Sequence, residues 1–195
     1  MLTEKEYWAE TFTDLALSEQ RISSIEFDDC IFKGCDLRET VFSHCRFIDC
    51  HFIDCDMNVV KFIGSRFEVT YFKSCKLTGV DWTTVDYSEF LEEAPFSFYD
   101  SILDYSSFFG EKLQTMVMQN CKAVEVDFRE ADLKGADFSR SDLSASLFRN
   151  TVLVKSDFTG AQDYTIDIRI NNISGAKFSA SEAVCLLESL DIELI

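Results

Sequence analysis

Proline occurs once in 195 residues and glycine only seven times. These are the usual residues of tight turns, so a fold built on ordinary hairpin chemistry is disfavoured. Histidine occurs twice, which leaves histidine-dependent catalysis few options. Lysine and arginine total 18 against 35 aspartates and glutamates, a formal charge of −17. Such a surface repels nucleic acid and anionic membranes and suits a basic protein partner, or solubility alone. No apolar run approaches the roughly 18 residues that a membrane-spanning helix needs. The start, MLTEKEYWAE, is acidic and lacks the basic and apolar regions of a secretory signal. With eight cysteines and no such signal, free thiols in a reducing cytoplasm are expected. A phosphate-binding glycine loop, a nucleophile elbow and a zincin motif are all missing. The chain therefore reads as non-enzymatic, with no cofactor.

What is abundant is phenylalanine, at 19 copies, in a chain that is 47% hydrophobic and able to bury a core. Every fifth residue from Phe12 to Tyr87 is apolar or aromatic. After a slip of one residue the series resumes at Phe98 and runs to Phe158. Asp163 breaks it, and Ile168, Ile173 and Phe178 restore it. A period of five fits neither a helix, at about 3.6, nor a strand, at about 2. It requires a chain that turns a corner every five residues and points one large side chain inward each time. A second inward position should lie two residues earlier, because strand neighbours alternate faces. That slot holds small or β-branched residues such as Cys30, Cys35, Thr40, Cys45, Cys50, Cys55, Cys75, Ser141 and Ser156.

This register answers a question posed by HCRFIDCHFIDC (residues 44–55), whose thiols and imidazoles look like a zinc cluster. Cys45, Cys50 and Cys55 fall on inward slots, while His44 and His51 fall on outward ones. Thiols and imidazoles therefore cannot share a metal, and none is expected. Three departures mark irregular places. The slip between Tyr87 and Phe98 holds the only proline and predicts a loop near residues 88–97. Glu111 occupies an inward slot, which is costly for a charge and predicts a bulge over residues 109–114. Asp163 stands where a large apolar residue belongs, so the last coil should be irregular.

The segment ADLKGADFSRSDLSASLF (residues 131–148) resembles the A-(D/N)-L-x-x pattern of pentapeptide-repeat proteins. The resemblance implies an all-β fold, a right-handed quadrilateral β-helix with four five-residue faces to each coil. About eight coils at a spacing of about 4.8 Å would make a rod about 38 Å long. Residues 1–11 would cap its front, with Thr3 and Glu6 as a capping box for a short helix or turn. Residues 12–178 would form the solenoid. Residues 179–195 would close it with a short α-helix, about Ala180 to Ser189, capped by Ser179 and Glu182. This end resembles the quinolone-resistance (Qnr) and microcin B17 immunity-like subfamily, in which a C-terminal helix and strand cover the solenoid. The resemblance implies a homodimer through the C-terminus, with Val184, Leu186, Leu187, Leu190 and Ile192 as the apolar interface.

Two segments are acidic and carry no lysine or arginine. One holds Asp86, Glu89, Glu92, Glu93, Asp100 and Asp104, and the other runs from Glu182 onward. A dimeric rod about 75 Å long would carry about one charge per 2 Å, close to the roughly 1.7 Å of duplex DNA. The resemblance then implies a DNA mimic that binds a type II topoisomerase, DNA gyrase or topoisomerase IV, and guards it from quinolones or peptide toxins. The first acidic segment is the candidate contact. The alternative is an interaction or scaffold protein with an unrelated partner, since the fold alone fixes none.

Overall fold

The computed structural model describes residues 2–87, 94–190 and 192. The chain winds into about eight parallel coils with a five-residue face on each of four sides. Residues twenty apart stack in register: Phe27 lies on Phe47, Phe32 on Phe52 and Phe42 on Phe62. The first face includes strands Glu6–Trp8, Glu26–Asp28, Arg46–Ile48 and Arg66–Glu68. The second carries the longest ladder, from Thr11–Thr13 through Phe96–Tyr99 to Val117–Gln119. The third is a row of single bridges, such as Asp36 to Asp56 and Ile102 to Lys122. The fourth begins with Arg21–Ser23, Val41–Ser43 and Lys61–Ile63.

The core-centre residues fill the rod as stacked columns. Phe12, Phe32, Phe52 and Phe72 lie nearly parallel, with ring centroids 4.9, 4.6 and 5.0 Å apart. On the fourth face Phe62, Trp82, Phe108 and Phe128 stack at 5.5, 5.7 and 5.5 Å. The third face contributes aliphatic residues instead, among them Leu37, Met57, Leu77 and Leu103, all fully buried. Stacked rings at these separations add about 0.5–1.5 kcal/mol per pair beyond area burial.

The corner that permits this winding lies two residues after most centres, where the backbone turns left-handed; after Trp82 a 3₁₀ turn takes its place. Among the described residues 23 non-glycine positions have positive φ, from Ala9 (53°) to Asp163 (56°). All seven glycines of the chain share that conformation, so few as they are, none is spent elsewhere. At Gly34 a Cβ would lie 2.7 Å from Oδ1 of the exposed Asp14 in the coil below, a contact that rotation of the Asp14 side chain relieves, so the positive φ of 65° is the firmer reason for glycine there. The remaining corners hold L-residues that accept about 1–2 kcal/mol of strain each.

The small inward residues do more than fill space. The Thr40 hydroxyl donates to the Leu17 carbonyl at 2.8 Å, and those of Ser141 and Ser156 donate to Met118 and Leu133 at 2.7 and 2.8 Å. In each pair the acceptor is a core centre 23 residues earlier. Ser141 Oγ also accepts the Cys121 N–H at 3.0 Å. Cys30, Cys35, Cys50, Cys55 and Cys75 make the same bond more weakly, the Cys50 thiol reaching the Phe27 carbonyl at 3.3 Å. Seven of the eight cysteines are buried on this inner ladder, and only Cys185 is partly exposed. His44 is exposed and His51 stacks outside on Tyr71 at 3.9 Å, so thiols and imidazoles lie on opposite sides of the wall.

Several expectations need correction. The first rung is a strand, Glu6–Trp8, and no helix caps it. Tyr7 is already a core centre, stacked 5.6 Å from Phe27, and its hydroxyl takes the Glu4 N–H and the Thr3 N–H, the latter being the group that Glu6 would have bonded in a capping box. Across the slip, Phe72 pairs with Phe98 and Lys76 with Ile102, a spacing of 26 residues. The slip of one is thus an insertion of six, which leaves the same remainder after division by five. The expected loop at 88–97 narrows accordingly, because Phe96–Tyr99 is wall strand and the Pro95 carbonyl accepts the Thr70 N–H at 3.0 Å. Residues 88–93 lie outside the described residues.

No bulge forms at 109–114. Lys112 bridges Asp132, and the Glu111 carbonyl accepts the Asp132 N–H at 2.9 Å, in register. Glu111 is tolerated because it is only half-buried there, unlike the fully buried residues of neighbouring slots. The last coil is irregular, as expected: Asp163 turns outward and Tyr164, 2% exposed, enters the core beside Phe158 and Phe178. The terminal helix, Glu182–Leu190, is a 3₁₀ helix and not an α-helix. Ser179 Oγ accepts the Gly160 N–H at 2.8 Å and no helix N–H, and the helix starts instead on the Ser179 carbonyl, which receives the Glu182 and Ala183 N–H groups.

Two measurements test this packing. Burial, aided by Asp81, raises the Glu111 carboxyl above its ordinary value. The folded state then holds that proton more tightly, and stability falls as pH rises from about 4.3 through the folded value. Glu111→Gln should therefore raise the urea midpoint at pH 7, with the gain vanishing below about pH 4; an unchanged midpoint at pH 7 contradicts this account. Burial also pushes the Cys50 and Cys121 thiols up to about 12. A thiol reagent at pH 8 should label only Cys185 in the native protein and all eight cysteines in urea. Rapid native labelling of several thiols would place the ladder on the surface.

Candidate functional site

Outward positions divide into faces and corners, and the two carry charge differently. On the faces, aspartates just before a core centre close the turn that follows. The Asp127, Asp137, Asp142 and Asp157 carboxylates accept the N–H two residues on, from Arg129, Ser139, Ser144 and Thr159, at 2.9–3.0 Å. Some also bind arginine through two bonds, as Asp36 does with Arg38 (2.8 and 2.7 Å), and the fork holds the Asp36 carboxyl below its ordinary value. The face acids are thus largely engaged.

The corners are different. Aspartate tolerates the left-handed conformation better than most residues. Ten of the 23 non-glycine corner residues are acidic and two are basic, Arg140 and Lys155, so the corners carry a net of eight negative charges, nearly half of the chain's −17, in rows along the edges of the rod. One such region flanks the third face over the first three coils. One edge carries Asp14 and Asp54 and the other Glu19 and Glu39, all exposed, with Asp36 and Asp56 between them. The one basic residue on those positions, Arg38, is already forked onto Asp36. Sequence runs do not reveal this patch, because its members lie twenty or more residues apart; reading the sequence in columns of twenty does.

The acidic residues singled out from sequence are spread over the rod. Asp86 is on the first face, paired with Arg66 at 2.7 Å. Asp100 is exposed at the corner between the second and third faces and accepts from Asn120 Nδ2 at 2.6 Å. Asp104, on the third face and only 9% exposed, pairs with Lys122 at 3.0 Å and accepts the Val124 N–H at 3.0 Å. Asp86 and Asp104 thus lie on opposite faces with their charges neutralised. Glu89, Glu92 and Glu93 lie outside the described residues. At the C-terminal end Val184, Leu190 and Ile192 are exposed, Leu187 is half-buried and Leu186 packs into the end of the core. No described helix is long and apolar enough to cross a membrane.

No curated protein sequence matches the chain. Among solved structures it is similar to a trypsin-treated, singly substituted form of QnrB1, a plasmid-mediated fluoroquinolone resistance protein. That match has 22% identity and a TM-score of 0.62, and covers 99% of this chain and 100% of the other. Full-length QnrB1 matches at 22% identity and a TM-score of 0.52, covering 96% of this chain and 100% of the other. At this identity the likeness is one of fold. The family model "Pentapeptide repeat region" matches residues 25–93, and "Pentapeptide repeats (8 copies)" matches residues 117–150. Together they span more than half of a chain whose stacked centres, left-handed corners and small inward residues recur every five positions, and the chain belongs to the pentapeptide-repeat proteins.

Proposed function

We propose that this chain is a non-enzymatic, cytoplasmic binding protein whose acidic edges occupy the DNA-binding surface of a type II topoisomerase, as a mimic of DNA. The observation that carries the reading is the placement of exposed carboxylates in rows along the corners, one rung of about 4.8 Å apart where consecutive coils supply them. A basic groove built for phosphates meets similar rows of negative charge, and such complementarity sets both encounter rate and register. The QnrB1 likeness and the resemblance read from the sequence point to DNA gyrase as the partner and to protection from quinolones as the outcome. The Asp14, Glu19, Glu39 and Asp54 patch is the first candidate contact, ahead of the neutralised Asp86 and Asp104.

A supercoiling assay with and without quinolone decides the matter. Wild type should alter supercoiling or relieve the drug, and the effect should weaken with salt. The variant Asp14→Asn/Glu19→Gln/Glu39→Gln/Asp54→Asn should need about tenfold more protein for the same effect. A wild type that neither binds, inhibits nor protects the enzyme would sink the proposal.

The exposed Val184, Leu190 and Ile192 further support joining two rods through this end. Light scattering should give twice the chain mass for wild type and a single mass for Val184→Asp. A monomeric wild type refutes the interface.

A further inference from the structure

The fourth face carries a gap in a repeated ionic pattern. In Asp36-Leu37-Arg38 on the third face, Asp127-Phe128-Arg129 on the fourth and Asp167-Ile168-Arg169 in the turn of the last coil, a carboxylate grips the arginine two residues on, with closest contacts of 2.7, 2.7 and 2.8 Å. Both Nε and Nη2 donate in every case. On the rung above Asp127 the same positions read Leu147-Phe148-Arg149, with Leu147 bridged directly to Asp127. Leucine stands where the carboxylate belongs, and Arg149 has no ion pair or side-chain hydrogen bond among the described residues.

That guanidinium borders a real opening. Phe148 pairs with Ile166, only 18 residues on, whereas Asn150 donates to the Ile170 carbonyl twenty on. The two residues missing before Ile166 return as a turn at Asp167–Ile170, closed by the Ile170 N–H on the Asp167 carbonyl. Below this turn lies an open groove of about 440 Å³, lined by Arg129, Leu147, Phe148, Arg149, Thr165 and Asp167 among others. Leu147 is 48% exposed beside it, an apolar floor next to the unpaired cation. The other charges facing the groove are matched: Arg129 is held by Asp127 and lies over the Phe109 ring at 5.6 Å, and Asp167 is held by Arg169. The balance on this short stretch is one uncompensated positive charge, on a chain of −17.

We propose that the groove binds a small monocarboxylate with an apolar body, its carboxylate taken by the Arg149 fork and its body lying on Leu147 and the edge of Phe148. The ligand carboxylate supplies the group that Asp127 supplies on the rung below. A guanidinium is suited to this, since its planar donors match carboxylate geometry. The groove has the size of a small-molecule site. A dianion is disfavoured by Asp167 at the rim, and an acidic macromolecule by repulsion from the whole chain. The site is independent of the acidic edges, so it stands or falls apart from the topoisomerase reading.

The test is titration of the full chain with sodium octanoate, followed by amide chemical shifts, with inorganic phosphate and octanol as comparisons. Octanoate should bind saturably, at about millimolar concentration, as expected for so few atoms. Shifts should centre on Leu147, Arg149 and Thr165. Arg149→Gln should weaken binding at least tenfold. Leu147→Asp should do the same while remaining folded, because it installs the carboxylate that the rung below already accommodates at Asp127. Unchanged binding in both variants, phosphate or octanol binding as tightly as octanoate, or no wild-type saturation by about 10 mM each overturns the proposal.

Discussion

The rod depends on one local constraint: two residues after most core centres the backbone must enter a conformation that L-amino acids resist. Thirty described residues, glycines included, show positive φ. The period of five, the parallel ladder and the ring columns all follow from meeting that demand at each corner. The strain is offset around each bend. Centres such as Phe42 and Phe128 stack on the coils above and below, and the carbonyl each presents receives an inward hydroxyl or thiol from the next coil. Buried backbone groups at the bends are thereby paired, which matters because an unpaired one costs about 1–3 kcal/mol.

The same constraint shapes the electrostatics. Aspartate and asparagine are among the few L-residues that enter the left-handed region readily. A chain that uses only seven glycines must put other residues at its corners, and an acidic choice lines the edges with charge. The aspartates on the faces answer a different need, holding the N–H groups of the following turn or an arginine fork. One net charge of −17 thus conceals two populations, one engaged in the wall and one facing outward.

Much of this was legible in the primary structure because one large side chain per five residues is an unambiguous signal. The centres from Phe12 to Phe158 and the inward cysteines all lie where the period puts them. What the period could not convey is anything equal modulo five. The insertion between Tyr87 and Phe98 read as one residue and is six. Nor could it report chemistry inside a slot: Cys50 and Ser141 read as small packing residues, but both donate hydrogen bonds. The acidic patch was missed because Asp14 and Asp54, or Glu19 and Glu39, become neighbours only through the coil. Ser179 looked like a helix cap, but the Gly160 amide in the previous coil claimed its hydroxyl first.

The 26-residue coil has a consequence for how such a rod can change. Phe72 and Phe98 remain 5.3 Å apart and nearly parallel despite the extra residues between them. The described rungs before and after the addition keep their register, because each rung is positioned by its vertical neighbours and not by contour length. Any corner is therefore a grafting point. An excursion of arbitrary sequence can be spliced in or excised there, while the scaffold's length and the spacing of everything displayed along it stay fixed, like teeth on a rack.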